Sequence, residues 1–147
     1  MDVIAHLDAA CPAEVLFAEV ADLTTYPEWL TIVPRAVAGG GDPPAWTVDL
    51  RGRLGPLARS KRLRMVRTVH DAPTHVRFER DELAGRRGSP WVLDATVEPV
   101  AAGSRLTMHL HYGGSFGAGV LERMLADEIE RSRPALLARL AARTESS

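Results

Sequence analysis

The chain has 147 residues, 46% hydrophobic and 25% charged, with a net charge of −1. This is the make-up of a globular protein long enough to bury a sizeable core, and the near-zero charge removes any global attraction to nucleic acid or an anionic membrane. The one cysteine, Cys11, excludes an intrachain disulfide framework, and no apolar run reaches membrane-spanning length.

A reducing, cytoplasmic setting is therefore expected, with no membrane insertion. The start, Met1-Asp2-Val3-Ile4-Ala5-His6, lacks the basic-then-apolar order of a signal peptide. The length favours a single domain over 1–147, as a monomer or a homodimer.

Residues 2–9 are apolar-rich and predict a strand. Pro12 suits the first turn of a helix, and Leu16, Val20 and Leu23 follow at helical spacing. Thr25-Tyr26-Pro27-Glu28 has the form of a capping box, which would place Trp29 on a second short helix beside Leu30, Ile32 and Val33. Gly39-Gly40-Gly41-Asp42-Pro43-Pro44 breaks the chain.

Beyond that break the period becomes two. Trp46, Val48, Leu50 and Leu54 share one parity. Leu63, Met65 and Val69 share another with Arg67, and Val76 and Phe78 share theirs with Arg80. Trp91, Leu93, Ala95 and Val97 alternate again, followed by Leu106, Met108, Leu110 and Tyr112. Such a series, with short turns between, is an antiparallel meander that is apolar on one face. From about Val120 the period is helical, with Leu121, Leu125, Ile129, Leu136 and Leu140 on one stripe and a kink or pause expected near Pro134.

The expected fold is α+β: a curved antiparallel sheet of about seven strands around a long C-terminal helix, with two short helices after the first strand. If the sheet curls strongly, helix and sheet cannot touch everywhere and a cavity opens between them. Antiparallel order puts the turns near 55–57, 84–90 and 113–117 at one end, the expected mouth, and those near 39–44, 71–74 and 100–103 at the other.

Ala10-Cys11-Pro12-Ala13-Glu14-Val15-Leu16-Phe17, Ala21-Asp22-Leu23-Thr24-Thr25-Tyr26-Pro27-Glu28-Trp29 and the strand series closed by a helix resemble the START/Bet v 1-like superfamily. Many of its members are labelled polyketide cyclase/dehydrase-like. The resemblance covers nearly the whole chain and implies the helix-grip fold. It does not imply one activity, because members include lipid carriers, cyclases, hydrolase-like enzymes and binding proteins. One departure is Cys11 before Pro12, where an oxygen-bearing cap would serve better.

Arg67 and Arg80 are the chemical oddities, since each lies on an apolar parity and a buried guanidinium needs an anion, a partner or water. In a cavity either would grip a carboxylate, phosphate or enolate oxygen; at a bulge or a strand end either would reach solvent. Trp29, Trp46, Phe78, Trp91 and Tyr112 are candidate aromatic walls, and Met65, Met108 and Met124 adaptable apolar ones, with plain core packing the alternative for each.

The basic run Arg51, Arg53, Arg59, Lys61, Arg62, Arg64 and Arg67 reads as a solvated sheet face, with Glu79 and Asp81 available to pair. It lacks the interleaved aromatics of single-strand binding, so no nucleic acid is expected. His109 and His111 share a strand face, but nothing at short spacing completes a metal site. Neither a metal nor a cofactor is expected.

Three functions stay open. The first is enclosure of a hydrophobic small molecule, such as a lipid, polyketide or aromatic metabolite, with Arg67 or Arg80 on its polar end. The second, implied by the resemblance, is a polyketide aromatase/cyclase. Family cyclases fold a poly-β-ketone chain and assist aldol condensation and dehydration; here Arg67 or Arg80 would stabilise an enolate and Tyr112 relay a proton. The third is a protein-interaction module using the Trp29 edge.

Overall fold

The computed structural model of the chain describes residues 2–51, 60–81, 90–113 and 118–146. The expected turns at 55–57, 84–90 and 113–117 lie outside these residues apart from Pro90 and Gly113, as do Leu54, Arg53 and Arg59; so do the side chains of Lys61, Leu121 and Met124.

Strand β1 (Asp2–Ala9) leads into helix α1 (Ala13–Val20) and a 3-10 helix (Leu23–Glu28). Six strands follow: β2 (Arg35–Gly40), β3 (Ala45–Arg51), β4 (Ser60–Asp71), β5 (His75–Arg80), β6 (Trp91–Val100) and β7 (Gly103–Tyr112). Helix α2 (Ala118–Ser146) ends the chain. All pairings are antiparallel, in the order β1-β7-β6-β5-β4-β3-β2. The first strand thus closes onto the last, as a meander requires once its amphipathic face must wrap a helix. This is the expected α+β helix-grip architecture. Among the described residues no helix is long and apolar enough to cross a membrane.

The concave face carries Val3 and Leu7 of β1, Leu106 of β7, Ala95 and Val97 of β6, Val76 and Phe78 of β5, Leu63 and Met65 of β4, and Trp46 and Val48 of β3, all buried. Leu125, Leu136 and Leu140 of α2 pack onto this core. Arg35–Gly40, which the period-two pattern does not mark, is an edge strand with only Ala36 buried. At the β6–β7 turn, Gly103 has φ +148, and a Cβ there would overlap the Ala9 carbonyl oxygen. Only glycine lets this turn close against the end of β1.

Four local expectations are corrected. The Thr25 capping box does not form: Asp22 is the N-cap, its carboxylate accepting from the Thr24 N–H at 2.9 Å, and the Thr25 hydroxyl donates backwards to the Glu19 carbonyl at 2.8 Å. With Pro27 inside a tight 3-10 turn, the helix ends at Glu28 and Trp29 is its C-cap. Cys11 is not a cap either; Pro12 occupies that position, and the Ser104 hydroxyl donates to the Cys11 carbonyl. Helix α2 runs through Pro134 without a pause.

A buried carboxylate ties the two helices together. Glu19 has no solvent exposure; Arg139 Nε donates to its Oε1 at 2.6 Å, and Arg143 Nε lies 2.9 Å from Oε2. The second approach has no hydrogen-bond alignment, since Oε2 has no hydrogen-bond donor, so Arg143 contributes chiefly charge. Tyr26 is buried beside this cluster and donates to the Val20 carbonyl at 2.8 Å. Burial, then the charges of Glu19 and Asp22, push its phenol far above the ordinary value. Helix α1 and the 3-10 helix therefore form a cap over the 71–74 and 100–103 end of the sheet.

Candidate ligand-binding site

The two arginines singled out by parity have different surroundings. Arg67 sits opposite Phe78, and the register shifts between Arg67 and Val69. The bulge turns Val69 away from the parity that the sequence assigns it and brings His70 inward, opposite Val76 and stacked on Phe17 with ring centroids 5.6 Å apart. Arg67 Nη1 donates to the Ala21 carbonyl at 2.9 Å, and its guanidinium carbon lies 5.7 Å from the Trp46 ring centroid. Ala21 is the C-cap of α1, where a cation is favoured by the helix dipole. Arg67 is thus committed to the closed end.

Arg80 lies one row nearer the expected mouth. Its partner across β4 is Met65, and Met65 is opposite Trp46 on β3. The β5–β6 register, which pairs Glu79 with Val92, continues to set Arg80 beside Trp91; Trp91 is opposite Tyr112, with ring centroids 4.5 Å apart. Trp46, Met65, Arg80, Trp91 and Tyr112 therefore form one inward-facing row across five strands. Residues more than 60 apart in sequence share this row (Trp46 and Tyr112) because the meander stacks their strands in register.

The next row contains Phe78, Leu93 and Leu110, and the one after it Val76, Ala95, Met108 and Ala5. Phe78 has no exposure and packs edge-on to Trp46 at 5.5 Å and to Tyr26 at 6.4 Å. Leu93, Met108, Leu110 and Tyr112 are only half-buried, although all four face the concave side. The mouth half of that face thus presents an apolar surface that the described side chains leave partly uncovered.

Deeper, between α2 and the sheet, lies a chamber of about 20 Å³ whose lining includes Trp29, Met108, Ile129, Ser132, Arg133 and Leu136. It holds roughly one water-sized atom. Trp29 is 4% exposed and its indole Nε1 has no hydrogen-bond partner. A buried donor left so costs about 1–3 kcal/mol. The Ser132 hydroxyl donates to the Ile129 carbonyl at 2.6 Å, which leaves its oxygen lone pairs to accept.

The ten sequence candidates thus separate. Trp29 and Met108 line the chamber; Met65, Arg80, Trp91 and Tyr112 form the mouth row, whose Trp46 end reaches the cap, its Nε1 donating to Thr24 Oγ1 at 3.0 Å; Phe78 and Arg67 are packed into the core and the cap. The Met124 side chain is outside the described residues. Ser132 carries no sequence signal, because a lone serine on a helix of alternating charges looks solvated.

The convex face holds the charges. Arg62 pairs with Asp49 of β3 and Arg64 with Asp81 just past β5, so these two arginines of the basic run are neutralised by neighbours. Asp94 accepts from His75 Nε2 at 2.6 Å and Arg77 Nε at 2.8 Å. Partial burial would raise its carboxyl, but these two partners outweigh it and hold the group below the usual range. Asp2 lies between His109 and His111, at 2.7 and 3.0 Å. Its carboxyl is lowered by those hydrogen bonds. Among the described residues no group of three His, Cys, Asp or Glu is arranged to hold a metal ion.

A curved antiparallel sheet gripping a long helix over an apolar face defines the helix-grip class. Residues 3–145 match the family described as polyketide cyclase/dehydrase and lipid transport, and the chain belongs to it. No curated protein matches the chain. Among solved structures, a Thermus thermophilus protein superposes with a TM-score of 0.77 at 15% identity, covering 98% of this chain and 99% of that one. A conserved Geobacillus kaustophilus protein gives 0.74 at 13%, covering 97% and 96%. A START superfamily protein from Mycobacterium smegmatis gives 0.72 at 14%, covering 97% and 99%. At such identities the likeness concerns the fold alone.

Proposed function

We propose that the protein binds a hydrophobic small molecule, a lipid or an aromatic or polyketide metabolite, between the concave face and α2. The observation that carries this reading is the half-buried state of Leu93, Met108, Leu110 and Tyr112 on the inward face. An ordinary core would cover them, and about 25 cal/mol per Å² favours doing so. A ligand lying along them would complete the burial, with Arg80 at the mouth taking a polar or anionic end. Native mass spectrometry of the purified protein, followed by extraction of any retained molecule, tests the reading. A retained hydrophobic compound supports it. Consistently ligand-free protein with no thermal shift across a lipid and polyketide panel rejects it.

A second reading, aromatase/cyclase chemistry, is favoured by one observation: Arg80 and Tyr112 share a row, as an enolate-stabilising cation and a proton-relay phenol would. Against it, Asp94 and Thr96 sit on the convex parity, and among the described residues the half-buried inward positions carry no carboxylate. Incubation with a poly-β-ketone thioester, read by mass loss of water, decides between carriage and catalysis.

A further inference from the structure

We infer that the Trp29 indole N–H is the specificity-determining donor of the cavity, and that the ligand's buried end carries a hydrogen-bond acceptor oxygen such as a ketone or ester carbonyl. The inference rests on the binding reading above and names the ligand's chemistry. Three observations meet at one place. The chamber between α2 and the sheet, about 20 Å³, is too small for a ring or a chain segment but accommodates one oxygen atom. Most of the side chains around it are apolar, and Arg133, which also lines it, has a buried Nε without a hydrogen-bond partner, so the atom the chamber takes must be an acceptor. Trp29, which lines it, has a buried N–H with no partner.

The geometry orders the ligand. Met108 belongs both to the chamber wall and to the half-buried apolar surface, so the two are contiguous. A ligand with its oxygen in the chamber would run its body past Met108 along Leu110 and Leu93 towards Tyr112 and Trp91. Indole N–H donates only, so the group it meets must accept. An ammonium, which only donates, would gain nothing from it, whereas a carbonyl or hydroxyl oxygen would accept. A site built around such a donor rejects an isostere lacking the acceptor, because the donor is then stranded again.

The test compares 2-acetylnaphthalene with 2-ethylnaphthalene, which differ by one oxygen, each displacing 1-anilinonaphthalene-8-sulfonate from wild-type protein and from Trp29→Phe. Wild type should bind both and favour the ketone. Trp29→Phe should weaken the ketone about tenfold and change the hydrocarbon less than twofold, the scale of one buried neutral hydrogen bond. Equal loss of both probes, or of neither, overturns the assignment.

A readout that needs no stable variant is the indole ¹H–¹⁵N spectrum of wild-type protein, where three tryptophans give three assignable signals. The ketone should shift the Trp29 signal downfield and the hydrocarbon should not. A water that stays on Trp29 Nε1 in the ketone complex overturns the assignment while leaving the binding reading intact. Failure of both probes to bind wild type overturns this inference, while the binding reading is judged by native mass spectrometry and the lipid and polyketide panel.

Discussion

Removing Arg139 and Arg143 together should destabilise the protein far more than neutralising the carboxylate they hold. Glu19 has no solvent exposure, whereas the arginine side chains are 30% and 43% exposed. The double variant Arg139→Ala/Arg143→Ala leaves a buried carboxylate without its two cations, which costs about 3–5 kcal/mol. Glu19→Gln leaves two arginines that rehydrate, so about 1–2 kcal/mol is expected. The single variants should be unequal. Arg139 makes the aligned bond to Oε1, while Arg143 approaches Oε2 without hydrogen-bond alignment, so Arg139→Ala should cost more. Against a total stability of about 5–15 kcal/mol, the double variant loses a large fraction. Its Tm should fall by roughly 10 °C, at about 2–4 °C per kcal/mol for a chain of this length. Urea unfolding at pH 7, with unchanged m, measures the differences. A double variant within 1 kcal/mol of wild type, or a Glu19→Gln variant less stable than the double one, would refute the view that Glu19 is a desolvated charge held by these two arginines.

Asp94→Asn should lower stability at pH 7 and flatten the acid limb of the stability curve. Because the folded carboxyl is depressed below its unfolded value, its contribution is present above about pH 4 and fades as pH falls through the folded pKa; wild type and variant should converge in acid unfolding, and a constant gap would contradict this. Gly103→Ala should cost about 2 kcal/mol or more, through positive φ and overlap with the Ala9 carbonyl, measured by thermal unfolding. Tyr26→Phe should cost about 1 kcal/mol by stranding the Val20 carbonyl, read from the urea midpoint. Arg67→Met should lower stability but leave 1-anilinonaphthalene-8-sulfonate affinity unchanged, whereas Arg80→Met should weaken binding of that anionic probe; the reverse pattern would move the ligand's polar end to the closed side.

Much of the architecture was readable in the chain because it depends on short-range periodicity. Alternation over residues 91–97 and 106–112 shows two strands with one apolar face, and Leu125, Ile129, Leu136 and Leu140 show a helix with one stripe; either element must find the other to escape water. The Asp22–Trp29 segment identified the turn into the sheet, although its capping chemistry came from Asp22 and its helix is 3-10. A strand as exposed as Arg35–Gly40 has too little alternation to show itself.

What the tertiary structure decided concerns neighbours distant along the chain. Parity placed Arg67 and Arg80 on the same footing; the bulge in β4 and the Ala21 carbonyl separated them, giving one to the cap and leaving the other in the mouth row. Glu19 resembles any helix-surface acid until Arg139, 120 residues away, reaches it. Trp29 reads from the sequence as a pocket or rim aromatic with a polar N–H, and only packing between α2 and the sheet leaves that N–H buried without a partner beside a one-atom chamber. Periodicity says which side of an element is dry. Which group stands opposite, and whether a polar atom is satisfied there, is settled only when elements far apart in sequence are brought together.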